Sequence, residues 1–98
     1  MIIRLFKARI RPGCSDAWRE KVQAFAIPWL ESQHGLLAYY PGQPISEDES
    51  EFSMTSVWVD MDALIAAVGE NWQESVLLED EARLVEECGV EHYEVFGS

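Results

Sequence analysis

The stretch from Phe52 to Gly69 leaves this chain few ways to fold. Its first half alternates: Phe52, Met54, Ser56 and Trp58 fall on one side of a strand and Ser53, Thr55 and Val57 on the other. Asp60 then stands where a helix N-cap is wanted, and Met61 to Val68 is an apolar helical run that Gly69 stops. A strand that turns at once into an apolar helix must lay that helix on its own sheet. Trp58 closes the strand, and Trp72 lies in the loop beyond the helix, next to Asn71. Two large rings near the end of one strand–helix unit can wall a cavity.

The flanking segments read the same way. Ile2 to Arg11 alternates with Ile2, Arg4, Phe6, Ala8 and Ile10 on one face, and Pro12-Gly13 ends it. Ser15 or Asp16 is placed to cap a following helix, in which Trp18, Val22, Phe25 and Trp29 recur at helical spacing. That stripe reads as core, with one member free to roof a pocket. Pro28 predicts a kink or restart, and Gly35 a C-terminal stop. Leu36 to Tyr40 reads as a short strand closed by Pro41-Gly42, and residues 43–51 as a solvated acidic loop. Glu74 to Cys88 has helical composition, with Val76, Leu77, Ala82, Leu84 and Val85 as its apolar side. Val90 to Phe96 is the last strand.

The order β-α-β-β-α-(α)-β over 98 residues is one domain of α+β class, a ferredoxin-like split βαβ plan. It has a four-stranded antiparallel sheet with helices on one face. The other face stays uncovered, and two such sheets packed face to face would bury it, so a homodimer is expected.

Charge and cysteine content exclude several functions. The net charge is −11, yet six of seven basic residues lie in the first 21 positions. Phosphate contacts need a basic face, so no nucleic-acid partner is expected. Pairing of the basic first strand with an acidic neighbour is the structural reading of the asymmetry. A cationic wall for an anionic ligand is the functional one. Cys14 and Cys88 make no disulfide framework, and His34 and His92 stand apart, so no metal site is expected. No apolar run approaches the ~20 residues of a membrane span, and the N-terminus lacks a signal-peptide pattern. No membrane partner and a cytoplasmic location follow as expectations.

Further residues carry the resemblance to a known family: Arg11-Pro12-Gly13 at the first strand's end, Gly35-Leu36-Leu37 leading into the second, and Ser56-Val57-Trp58-Val59-Asp60 with Ala63-Leu64. Glu70-Asn71-Trp72-Gln73 and Val90-Glu91-His92-Tyr93-Glu94-Val95 complete the set. Over nearly its whole length the chain resembles an antibiotic biosynthesis monooxygenase domain of the dimeric α+β barrel superfamily. The resemblance implies a pocket inside each protomer, between sheet and helices. It also implies O₂-dependent oxidation of a small phenolic, quinol or polyketide-like aromatic without cofactor. Some relatives of that kind degrade haem with an Asn, Trp and His set. Those places fall near Phe6, Ala67 and Leu77 here, and none of the three matches. A non-catalytic ligand-binding or stress-related barrel protein is the alternative function.

Candidate site residues follow. Asn71 could stabilise negative charge developing on a substrate oxygen, with Trp72 beside it as pocket wall; helix capping and packing are their structural roles. His92 could take a phenolic proton, or merely be hydrogen-bonded on its strand. Arg4 is a charge on an apolar face. It either pairs with Glu94 or anchors a substrate carboxylate or phenolate. Phe6, Trp58 and Tyr39 are candidate substrate contacts that would otherwise be core.

Overall fold

The computed structural model describes residues 1–75 and 77–97. Its elements run β1 (Ile2–Ile10), α1 (Ser15–Lys21), a π-helical turn (Val22–Ala26), α2 (Ile27–Glu31), β2 (Leu36–Gly42), β3 (Glu51–Trp58), α3 (Met61–Val68), α4 (Glu79–Ala82) and β4 (Val85–Glu94). The four strands form one antiparallel sheet in the order β2-β3-β1-β4. This is the ferredoxin-like α+β plan that the alternation implies.

Register fixes which residues meet. Ile2, Arg4, Phe6 and Ala8 of β1 face Trp58, Ser56, Met54 and Phe52 of β3, and on the other side Arg4 faces His92 of β4. The face carrying these residues lies toward the helices and holds two apolar clusters. One gathers Ala8, Ile10, Trp18, Phe52 and Val85; the other gathers Ile2, Leu30, Trp58 and Leu64. Asp60 caps α3 as its sequence position implies: its Oδ1 accepts from the Ala63 amide at 2.8 Å.

Four local expectations are corrected. The helix expected over Glu74–Cys88 shrinks to α4, and β4 begins five residues early, at Val85. The cause is tertiary. β1 needs a partner along its whole length, so Val85 pairs with Ile10 and is buried, with a register shift before the Arg9–Glu87 pair. Local helical preference is too weak to resist a sheet ladder. Val76, named with that helix's apolar side, lies outside the described residues.

Pro41 and Gly42 continue β2 opposite Met54 and Ser53 instead of closing it. An edge strand tolerates a missing amide hydrogen. The residue at the N-cap of α1 is Cys14, with no side-chain cap, in place of Ser15 or Asp16. The Asp16 carboxylate pairs with Arg19 instead.

The fourth correction concerns the helical stripe. The helix does restart near Pro28, which sits in the first turn of α2. A regular α-helix would drive that ring against the Ala24 carbonyl. The wide π turn just before it accommodates the proline and shifts the phase of everything nearby. Trp18 and Leu30 are buried, but Phe25 is 61% and Trp29 42% exposed.

Candidate functional site

Between the sheet and the first helical layer lies a cavity of about 510 Å³. Arg4, Phe6, Met54, Ser56 and Trp58 line it from the sheet. Phe25 and Trp29 line it from the π turn and α2, so these two rings are cavity wall as well as surface. Leu77, Leu78 and Glu81 border it from the segment around α4.

Arg4 is the polar centre of the wall. It sits mid-strand on the helix-facing side of β1 and is 9% exposed. Its Nη1 donates to the Trp72 carbonyl at 2.7 Å and stands 2.8 Å from His92 Nε2, while Nη2 donates to the Glu74 carbonyl at 3.4 Å. A guanidinium has only donors, so His92 Nε2 accepts and the ring's proton sits on Nδ1. The His92 ring meets Trp72 edge-on, with centroids 4.8 Å apart. Burial lowers the Arg4 pKa, but from so high a value that the group stays a cation. Glu94 does not pair with it, since register puts Glu94 opposite Ile2. Among the described residues no carboxylate forms an ion pair with Arg4.

The remaining basic residues of β1 behave as the structural reading of the charge asymmetry expects. Lys7 pairs with Glu91 at 3.3 Å and Arg9 with Glu87 at 3.7 Å, on the outer face of the sheet. Such exposed pairs are worth little energetically.

The structure therefore separates the seven candidates. Arg4, Phe6 and Trp58 line the cavity. His92 and Trp72 do not line it but contact Arg4, which does. Asn71 is exposed in the turn after α3, where its carbonyl accepts from the Glu74 amide. Tyr39 packs against the Trp58 cluster without lining the cavity; burial and Glu31 raise its pKa. Sequence reasoning overlooked Ser56. It is buried opposite Arg4, lines the cavity, and accepts from Trp58 Nε1 at 3.0 Å. The signal was available: Ser56 is the lone hydroxyl on the apolar face of its strand.

Burial first, and the Arg4 charge second, lower the His92 pKa from 6.5. The unfolded chain then binds the proton more tightly than the folded one. The His92 contribution to stability is level above pH 6.5 and falls as the pH drops below it toward the folded-state value. Urea midpoints measured between pH 7 and pH 5 should show this decline, and His92→Gln should flatten it. Equal slopes in the two proteins would remove His92 as its source.

An α+β sheet-and-helix domain with an aromatic-walled internal cavity is the class these features define. The chain belongs to the antibiotic biosynthesis monooxygenase family, whose model matches residues 1–76. No curated protein matches it in sequence. Among solved structures, a Deinococcus radiodurans protein described as a putative antibiotic biosynthesis monooxygenase superposes with a TM-score of 0.79 at 16% identity, covering 100% of this chain and 95% of the other. Rv0793 of Mycobacterium tuberculosis gives 0.75 at 17% identity, covering 99% and 96%. A variant of SnoaB, a cofactor-independent oxygenase of Streptomyces nogalater, gives 0.72 at 14% identity, covering 99% and 94%. At such identities the likeness is one of fold.

Among the described residues, no group of three His, Cys, Asp or Glu side chains could hold a metal ion, and no helix is long and apolar enough to cross a membrane.

Proposed function

We propose that this chain is a cofactor-independent monooxygenase that oxidises a small aromatic substrate with O₂. The observation that carries this reading is the cavity itself. It is of the usual size for a small-molecule site, walled by aromatic rings, with few polar groups converging on it. Phe6 packs on the substrate ring with the fully buried Trp58 behind that wall, Phe25 and Trp29 cover its outer side, and Arg4 holds an ionised oxygen. His92 and Trp72 position Arg4. With its Nε2 lone pair given to Arg4, His92 is not free to act as base at that atom. Asn71 and Tyr39 stand off the wall and have no part in this reading. In the overall reaction the substrate supplies all four electrons that O₂ takes up, and two of its hydrogens leave in the water. One oxygen atom of O₂ enters it and the other leaves as water.

The working form in this proposal is a cytoplasmic homodimer. The outer sheet face supports it: Tyr40 is 62% and Tyr93 49% exposed there, beside half-buried Ile3, Leu5 and Val57. A second copy of the sheet would cover these side chains.

One preparation tests both parts. Native mass spectrometry should give a dimer mass; a monomer at micromolar concentration would refute the assembly. Oxygen-electrode measurements with a panel of phenols and hydroquinones should then show uptake well above the spontaneous rate. Arg4→Gln should lower it about tenfold or more, the usual scale for losing a charged contact. Uptake no faster than without protein, across the panel, would leave a ligand-binding protein and remove the oxygenase.

A further inference from the structure

We propose that Arg4 and Ser56 together form a carboxylate-recognition site on the cavity floor, so that the chain selects aromatic molecules bearing an ionised carboxyl group. The inference rests on reading the cavity as a substrate site and adds the substrate's class to it.

The argument is a count of donors. A guanidinium carries five N–H groups. Three of Arg4's are directed at Trp72, His92 and Glu74. The Nε–H and one N–H on Nη2 remain. Among the described residues no fully buried side-chain nitrogen or oxygen lacks a partner, so Nε, which bonds none of these, is not sealed in the core. Arg4 is itself nearly buried, and the open space it borders is the cavity. Adjacent Nε and Nη2 donors form the fork that a carboxylate accepts with both oxygens.

Ser56 supplies an independent observation. It faces Arg4 directly across β1 and β3 and is 3% exposed. The Trp58 indole only donates, so the Ser56 oxygen is the acceptor in their bond and its own O–H proton is left to donate. Among the described residues nothing accepts that proton. In this proposal the floor offers the Nε–H and second Nη2 N–H of Arg4, the Ser56 O–H and a positive charge, from two residues that both line the cavity. The carboxylate of Glu81, at the border near α4, accepts from the Leu78 amide. Donors without acceptors, beside an unpaired cation, are complementary to an oxyanion. Two oxygens fit three donors better than the single oxygen of a phenolate.

Isothermal titration calorimetry with 2-naphthoate and its neutral isostere 2-naphthamide, at pH 7.5, tests this. Naphthoate should bind about tenfold tighter or more, the scale of a hydrogen-bonded charge. Arg4→Gln should bring the two affinities together, and Ser56→Ala should weaken naphthoate selectively. Equal affinities in the unaltered protein would overturn the carboxylate inference while leaving the cavity as a binding site. Binding of neither probe would remove the cavity reading and this inference with it. A preference that survives Arg4→Gln would overturn the assignment to Arg4. Should that variant fail to fold, the naphthoate-to-naphthamide ratio in the unaltered protein and in Ser56→Ala decides the matter.

Discussion

Replacing Trp58 with Ala should cost about 3–5 kcal/mol of folding stability, the range for deleting a buried aromatic side chain. Trp58 is 0% exposed and lies in the cluster with Ile2, Leu30 and Leu64. It holds that cluster from the sheet side, opposite Ile2 of β1 and Leu36 of β2. Deleting the ring enlarges an existing cavity and exposes the cluster to it. Domains of this size are stable by only ~5–15 kcal/mol, so the loss would be a large share. Trp58→Phe keeps most of the apolar volume and gives up the bond to Ser56, so it should cost much less, about 1–2 kcal/mol. Equilibrium unfolding in urea reads both. An Ala variant within 1 kcal/mol of the parent would show that the cluster does not depend on the ring.

The second large effect is expected at Gly35. Its φ of +84° lies in the left-handed region, and a Cβ there would stand 2.5 Å from the Ala63 Cβ and 3.2 Å from Val59 Cγ1. The Gly35 carbonyl also accepts from the Val59 amide at 2.8 Å, tying the start of β2 to the turn before α3. Gly35→Ala therefore meets two penalties: about 1–2 kcal/mol of backbone strain and about 1–3 kcal/mol of overpacking. A double-mutant cycle separates them. Ala63→Gly added to Gly35→Ala should return the packing part and leave the strain. If the two substitutions proved additive, Ala63 would not be the obstacle.

The parts of the fold written in local patterns were the legible ones. β1 and β3 show period two because one face is buried and the other is not. The Asp60 cap shows because its hydrogen bond spans only three residues. The start of β4 is settled by a distant strand. Val85, Glu86, Glu87 and Cys88 suit a helix by composition, and only the far end of β1 draws them into the sheet. The Phe25–Trp29 stripe misled for another reason. Counting at 3.6 residues per turn fails across a π turn, so rings expected in the core emerge at the cavity and the surface.

The site divides in the same way. Arg4 stood out as a charge on an apolar face. Its contact with His92 joins residues 88 positions apart and depends on the β1–β4 register, which no local pattern encodes. Ser56 was in plain view on its strand and gained meaning only once Arg4 was found across from it.

The strand order has one more consequence. With β3 and β1 inside, β2 and β4 are the sheet's two margins, each with a row of backbone groups that another chain could join. The margins are guarded differently. Along β2, Pro41 has no amide hydrogen to offer an incoming strand. Along β4, Glu86, Glu87, Glu91 and Glu94 crowd negative charge into ten residues, so that two such margins repel. One guard is covalent and indifferent to the medium, whereas the other fades once strong acid or concentrated salt silences the carboxylates. Fibril growth in acidified solution would therefore begin along β4.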